Sequence, residues 1–332
     1  MSDVLLQIRD LRTSFRIEGK FYAAVDGVSL DIYKDEVFAL VGESGSGKSA
    51  MALSLTRLHN PLYTRIEGEV IYDGKDLVTL GESQLNKVRG GHISMIFQDP
   101  LTALNPLLRV GSQIEESLTY HTNLDKAGRK ARALELLEGV GMVNPALTYS
   151  QMPHQLSGGM RQRAMIAIAL SCKPELVIAD EPTTALDVTI QAQILDLLRD
   201  LRREMQTSII LITHDLGVVA EMADRVAVMY AGQIVELASA QDLFKNPQHP
   251  YTRSLLASIP SVDSENSRLH VIQGMVPPLQ HLPREGCRFS HRTPWVSPDI
   301  HEETPVYHEV SPNHYVLCTC YSEFKFEGEE MV

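Results

Sequence analysis

A glycine-rich loop that ends in lysine and serine, residues 42–49, is the part of this sequence best suited to chemistry. It follows an all-apolar run at 37–41 that predicts a buried strand, and it precedes an apolar stretch that predicts a helix. Its letters, GESGSGKS, match the pattern G-x-x-x-x-G-K-[ST], in which backbone N–H groups and the helix dipole surround phosphate. A chance glycine-rich turn is the alternative, but the strand and the helix on either side favour a phosphate site. The residues expected at the phosphates are Gly42, Glu43, Ser44, Gly45, Ser46, Gly47, Lys48 and Ser49.

Four more polar side chains follow apolar runs that predict buried strands: Gln98, Asp180, Glu181 and His214. Because parallel strands end at one edge of a sheet, these groups are expected near the same edge. Asp180 and Gln98, with the Ser49 hydroxyl of the loop, offer oxygen ligands of the kind that Mg²⁺ prefers. Glu181 suits a general base for an attacking water, while Lys48 and His214 suit contacts to a terminal phosphate. Taken singly, each strand-end group could instead be an ordinary solvated residue.

A second glycine-bearing turn, L-S-G-G-M-R-Q-R at 156–163, precedes another strongly apolar helical stretch. It too could present backbone N–H groups and a helix dipole to an anion. One chain does not need two phosphate-binding turns for one nucleotide. The phosphate loop alone therefore does not explain why the turn at 156–163 is present.

Predicted strands at 4–8 and 25–32 are joined by a segment that contains several aromatic residues. An aromatic ring there could stack on a flat adenine, and Phe15 and Tyr22 are the candidates for this role. Packing within a sheet is the alternative for either ring. Farther along, apolar residues at helical spacing between about 111 and 147 predict a helical insertion.

Composition limits the classes of function. The chain has 332 residues, 44% hydrophobic and 22% charged, which is typical of a globular protein. Its formal net charge of −12 argues against a general nucleic-acid binder. No apolar run reaches the roughly 20 residues of a membrane span, and the first residues lack the features of a signal peptide, so we expect the chain to stay in the cytosol.

Together, these motifs resemble the nucleotide-binding subunit of an ATP-binding cassette (ABC) transporter, and the resemblance covers residues 1 to about 245. The motifs are the phosphate loop, Gln98, the turn at 156–163, L-V-I-A-D-E-P, A-L-D at 185–187 and I-T-H-D. The resemblance implies an α/β P-loop cassette with a RecA-like core, an antiparallel β subdomain and a helical subdomain at about 99–172. It also implies a small C-terminal extension at 246–332.

The same resemblance implies a head-to-tail dimer that binds ATP and Mg²⁺ between its subunits. ATP would lie between the phosphate loop of one subunit and the turn of the other, which explains the second phosphate turn. The residues of the turn and of the dimer interface that would reach this nucleotide are Ser157, Gly158, Gly159, Gln162 and Asp187. Gln98 would report the nucleotide state to membrane subunits.

Three further segments are similar to the dipeptide and oligopeptide importer branch: 98–106, 249–256 and the region from 277 onward. The expected partners are a second, related ATPase subunit, two transmembrane permeases and an extracytoplasmic peptide-binding protein. The expected location is the cytoplasmic face of the membrane, peripherally bound. Importers of nickel, glutathione or another small solute are an alternative. A soluble ABC ATPase acting on ribosomes or DNA is another, disfavoured by the acidic charge and the single cassette.

Many relatives in this branch carry a four-cysteine iron–sulfur motif in the extension. Here Cys287 and Cys318 remain, Thr293 and Ile300 stand where the middle cysteines would be, and Cys320 is extra. With His301, the three cysteines could in principle bind zinc or a cluster. The lost spacing favours an empty site with reduced thiols instead. We then expect apolar packing to stabilise the extension, with contributions from the three aromatic residues Trp295, Tyr307 and Tyr315.

Overall fold

The computed structural model describes residues 3–184, 187–258, 274–322 and 324–326. Its strands are β1 (Val4–Ile17), β2 (Lys20–Tyr33), β3 (Val37–Val41), β4 (Thr64–Tyr72), β5 (Lys75–Asp76), β6 (Ile93–Ile96), β7 (Leu176–Asp180), β8 (Ser208–Ile212), β9 (Arg225–Tyr230), β10 (Gln233–Ser239), β11 (Tyr307–Ser311) and β12 (His314–Leu317). Its α-helices are α1 (Lys48–Leu55), α2 (Glu82–Val88), α3 (Pro100–Ala103), α4 (Val110–His121), α5 (Lys126–Gly139), α6 (Pro145–Ser150), α7 (Gly158–Ala169), α8 (Val188–Met205), α9 (Leu216–Met222), α10 (Ala240–Lys245) and α11 (Pro250–Ala257). Within the described ranges, no helix combines the length and apolar character that a membrane span requires.

The chain divides into two compact units. The first, called the helical unit, comprises residues 1–5, 32–37 and 73–212. The second, called the phosphate-loop unit, comprises residues 6–31, 38–72 and 213–332.

In the helical unit, β6, β7 and β8 form a parallel sheet in that order. Every residue of β7 and β8 is buried, as continuous apolar runs predict for strands covered on both faces. The carboxyl ends of these strands therefore present Gln98, Asp180 and Glu181 along one edge.

Helices α3 to α7 fill the stretch where the sequence predicts a helical insertion, and side chains that accept backbone N–H groups mark the starts of α3, α5, α6 and α7. Asp125 accepts from Gly128 N at 2.8 Å at the start of α5, and Asn144 accepts from Leu147 N at 3.0 Å at the start of α6. The predicted 111–147 periodicity thus belongs to three separate helices.

In the phosphate-loop unit, β3 runs parallel to β9, with Phe38 opposite Arg225. The strands β9, β10, β12 and β11 continue from there as antiparallel neighbours in that order. The C-terminal hairpin of β11 and β12 thus extends the sheet of the cassette, with Glu236 opposite Val316.

Strand β1 is longer than the strand predicted at 4–8, because a bulge conceals its continuation. Asp10 has φ 45°, and the pairing with β4 shifts register between Arg9 and Arg12. The inward and outward alternation therefore restarts beyond the bulge. As a result Phe15 and Tyr22 lie on strands β1 and β2 rather than on a connecting segment.

One apolar core joins the C-terminal extension to strands of the cassette. It contains residues of β3 and β9 together with Tyr251, Phe289 and Leu317. The prediction that Trp295 and Tyr307 pack there is wrong, since they are 38% and 42% exposed and use their polar atoms to bond Lys325 O and Ile234 O. Tyr315 is half-buried. A boundary near residue 246 stays a prediction, because residues on both sides of it contribute to this one core.

Candidate functional site

Close approach of the backbone makes two glycines of the phosphate loop necessary. Gly42 has φ 151° and Gly47, the residue before α1, has φ 108°. A Cβ added at Gly42 would lie 2.2 Å from Met229 O, and one at Gly47 would lie 2.5 Å from Ala24 O. Because both obstacles are backbone atoms, a side chain at either position would displace the loop.

The lysine of the loop is directed into the loop itself. Lys48 Nζ donates to the carbonyl oxygens of Gly42 at 2.7 Å and Glu43 at 3.0 Å, and the residue is only 6% exposed. Ser44, Gly45 and Ser49 are exposed. The loop thus presents exposed backbone and hydroxyl groups around a preplaced cation, which is the arrangement that a phosphate requires.

Two side chains from the C-terminal part of the chain bind Glu43, the second residue of the loop. The sequence patterns did not predict this contact. Arg292 donates to the Glu43 carboxylate at 2.7 and 3.3 Å, and its side chain is 2% exposed. The Tyr251 hydroxyl accepts the Glu43 N–H at 2.7 Å, and burial raises the pKa of Tyr251 so that it stays protonated. These partners lie more than 200 positions from Glu43, so local spacing carries no signal for them.

In the helical unit, Glu181 lies at the centre of a small hydrogen-bond network. Gln98 Nε2 and Thr184 Oγ1 each donate to Glu181 Oε2 at 2.8 Å. Glu181 has φ 46°, a conformation that costs about 1 kcal/mol or more in a non-glycine residue and is concentrated at functional sites. Asp180, the last residue of β7, is 5% exposed. The expected base is therefore held in a fixed orientation.

The turn at 156–163 opens α7 with Ser157 as the capping residue. Ser157 Oγ accepts from Met160 N at 3.4 Å, and both Ser157 and Gly158 are exposed. Gly159 leaves room for Ile190, which an added Cβ would approach to 3.1 Å. The turn thus offers an accessible helix N-terminus.

Gln162 and Asp187 also have local structural partners. The Gln162 side chain is buried and donates to Pro182 O at 2.5 Å, so it anchors the backbone that follows Glu181. Asp187 is exposed and caps α8 by accepting from Ile190 N at 2.9 Å. Nucleotide contacts of both residues stay predictions. The other two residues of A-L-D, 185 and 186, lie outside the described residues.

Three remaining candidates lie in the phosphate-loop unit. His214 is exposed just beyond the end of β8. The Phe15 ring contacts the His59 ring edge-on, with 5.2 Å between centroids, and Tyr22 is half-buried. Phe15 therefore already has a packing partner, and adenine stacking by either ring stays a prediction.

Near the C-terminus, the three cysteines and the histidine that the sequence offered as an alternative to an empty site converge. The ligand atoms of Cys287, His301, Cys318 and Cys320 all lie within 4.8 Å of one another. The thiols are free, and hydrogen bonds from Cys287 and then Cys320 lower the pKa of Cys318. The hydrogen bond with Cys318 is the main reason that the pKa of Cys287 is raised to about 12. The four side chains are thus close enough together to bind one metal ion.

The phosphate loop and the parallel strands define the class of P-loop nucleotide-binding proteins. Comparisons with known proteins agree with this assignment. The family model described as "ABC transporter" matches residues 25–184, and "Oligopeptide/dipeptide transporter, C-terminal region" matches 235–298. Among solved structures, the dimeric post-hydrolysis ATP-binding cassette MJ0796 bound to ADP and Pi aligns with a TM-score of 0.64 and 29% identity. The alignment covers 71% of this chain and 99% of that one.

Curated relatives match over nearly the whole chain. Oligopeptide transport ATP-binding protein OppD of Lactococcus lactis subsp. cremoris (strain SK11) is 47% identical over 331 residues, 99% of this chain and 98% of the relative. AppD of Bacillus subtilis (strain 168), also an oligopeptide transport ATP-binding protein, is 50% identical over 98% of each chain. The dipeptide transport protein DppD of the same strain is 50% identical over 87% of each. The chain belongs to the ABC transporter ATPases, in the family defined by the oligopeptide/dipeptide transporter C-terminal region.

Proposed function

We propose that this chain is the ATP-hydrolysing subunit of a membrane importer for oligopeptides or dipeptides. The observation that carries the proposal is the joint presence of an ABC cassette and the C-terminal region of peptide transporters, at 47–50% identity to peptide transport subunits. The names of these relatives, which are oligopeptide and dipeptide transport proteins, favour peptides over nickel or glutathione.

Within this function, the phosphate loop binds the phosphates of ATP and Glu181 acts as the general base. The carboxylate accepts hydrogen bonds from Gln98 and Thr184, which orient it for accepting a proton from water. Lys48 exchanges its bonds to loop carbonyls for bonds to phosphate, and His214 contacts the terminal phosphate.

Magnesium suits the donors that the chain offers. Ser49 supplies a hydroxyl oxygen, Asp180 a carboxylate, and Gln98 an amide oxygen that its bond to Glu181 does not use. All three are hard oxygen donors, which Mg²⁺ prefers. Bound Mg²⁺ would neutralise charge on the phosphates.

Two cassettes would sandwich ATP, with Ser157, Gly158 and Gly159 of one serving the ATP of the other. Ser157 and Gly158 are exposed at the start of α7, as this role requires. The assembly would include a related second cassette, two transmembrane permeases and an extracytoplasmic peptide-binding protein. This chain would then lie on the cytoplasmic face of the membrane, peripherally bound.

The test is ATP-driven uptake of labelled peptides into vesicles that contain the complete transporter. We expect uptake of a labelled dipeptide or oligopeptide that requires ATP and the binding protein. If the vesicles took up nickel or glutathione but no peptide, the proposed substrate class would be wrong and the transported solute would be nickel or glutathione. Failure of the chain to co-purify with any membrane subunit would contradict the importer function itself.

A further inference from the structure

We propose that Cys287, His301, Cys318 and Cys320 bind a single zinc ion. Three thiols and one imidazole form a donor set that tetrahedral zinc accepts in structural sites. The three cysteines are buried and His301 is half-buried, so the site is closed, as structural zinc sites are. On binding, each thiol gives up its proton to solvent and becomes a thiolate ligand.

The distances between the ligand atoms show whether the site fits a single ion or an iron–sulfur cluster. With zinc–sulfur bonds of about 2.3 Å, neighbouring ligand atoms in a tetrahedral site lie about 3.8 Å apart. A four-iron cluster stands between its thiolates and holds them farther apart, at about 6 Å. All four ligand atoms here lie within 4.8 Å of one another, which matches the single ion.

A four-iron cluster also lacks ligands at the positions where relatives have cysteines. Thr293 is buried, and its hydroxyl donates to Ser290 O at 3.2 Å, while Ile300 has no donor atom. The residues that complete the set are His301, which directly follows Ile300, and Cys320. The residues at these positions therefore do not provide the ligands that a four-iron cluster requires.

His301 gives an independent indication of a ligand. Both of its ring nitrogens are buried, and among the residues that the structure describes neither meets full hydrogen-bond geometry, although His301 interacts with the Cys318 thiol. An unpaired buried polar atom is costly, and a metal bond from one nitrogen would relieve part of that cost. The nitrogen lies beside three sulfur atoms, which identifies the missing partner as a metal that thiolates bind.

Groups around the cluster are arranged to support thiolates. The Glu302 N–H donates to Cys318 Sγ at 3.3 Å. His249 Nδ1 accepts the Tyr251 N–H at 3.1 Å, so the proton of the neutral ring is assigned to Nε2, 3.7 Å from Cys320 Sγ. Donors of this kind orient metal ligands and offset their negative charge.

Backbone bonds bring the three ligand segments together. Gly286 N donates to Glu303 O at 3.0 Å, and Cys318 N donates to Val306 O at 3.0 Å. Cys318 itself has φ 72°, a strained conformation for a residue with a side chain. Zinc would close the segment from 287 to 320, which carries Arg292 and hence the contact to the phosphate loop.

The experiment is elemental analysis of the full chain, purified with reductant and without oxygen from cells supplied with both zinc and iron. We expect about one zinc per chain, little iron and no visible colour. About four irons per chain with broad visible absorption would overturn the proposal in favour of a cluster. Protein that contains no metal and binds no added zinc would overturn it in favour of empty thiols.

Variants identify the ligands. Cys320→Ser and His301→Ala should each lower bound zinc at least tenfold, whereas Cys172→Ser, outside the cluster, should keep it. His301→Cys should restore zinc, which separates loss of a ligand from failure to fold. Replacing zinc by Co²⁺ should give sulfur-to-cobalt absorption that falls by about one third in any Cys320→Ser protein that still binds cobalt. Wild-type zinc content in both Cys320→Ser and His301→Ala would refute the ligand set.

Discussion

Replacing Arg292 by methionine tests whether the C-terminal extension stabilises the phosphate loop. The side chain is 2% exposed, donates twice to Glu43 and once to Gly274 O at 3.2 Å, and its guanidinium lies 5.8 Å from the Tyr230 ring centroid. Removing one partner of a buried ion pair costs about 3–5 kcal/mol. Glu43 is 26% exposed, and solvent lowers that penalty, so we expect a loss of about 2–3 kcal/mol in the free energy of unfolding.

The assay is denaturant unfolding together with ATP affinity, which should weaken about tenfold because the loop loses its anchor. Lys75→Met is the matched control: its pair with Asp73 spans 3.5 Å between side chains 63% and 77% exposed, so its effect should stay below about 0.5 kcal/mol. In a double-mutant cycle, Glu43→Gln should add little to Arg292→Met. Equal effects of Arg292→Met and Lys75→Met would refute the reasoning.

Three further substitutions test separate parts of the chain. Gly47→Ala should abolish ATP binding, because its Cβ would lie 2.5 Å from a backbone oxygen, whereas Gly139→Ala, with nothing within 4 Å, should bind ATP normally in the same titration. Ser157→Arg should leave ATP affinity of the isolated subunit unchanged but prevent ATP-driven dimerisation, measured by light scattering; an equal loss of affinity would contradict the two-subunit site. His314→Ala should lower the free energy of unfolding by about 3 kcal/mol, because it leaves the fully buried Glu236 without its 2.7 Å side-chain partner; an unchanged midpoint in denaturant would contradict this.

Local patterns predicted the loop and the strands that carry the candidate site residues. The loop from Gly42 to Ser49 and the strand ends at Gln98 and Glu181 follow from apolar runs and fixed spacing, because a buried parallel strand must be apolar along its length. The fold class and the helical insertion followed from the same signals together with the family resemblance.

The contacts that local patterns missed join distant segments. Arg292 meets Glu43 across 249 positions, and the ligand atoms of the three cysteines and His301 converge although the spacing in sequence favoured an empty site. The bulge near Asp10 hid residues 9–17 of β1, because one irregular residue interrupts the alternation on which strand prediction depends. Such features depend on tertiary packing, which a single sequence does not display.

The central claim is that this chain hydrolyses ATP with Glu181 as the base. The most direct measurement is single-turnover hydrolysis of bound ATP by Glu181→Gln in the assembled transporter, with the site of the second cassette disabled. Glu175→Gln, the same change at the other end of β7, is the control. We predict normal ATP occupancy and a rate lowered by about 10²–10⁴ for Glu181→Gln, with a normal rate for the control. Hydrolysis by Glu181→Gln at the wild-type rate would contradict the account.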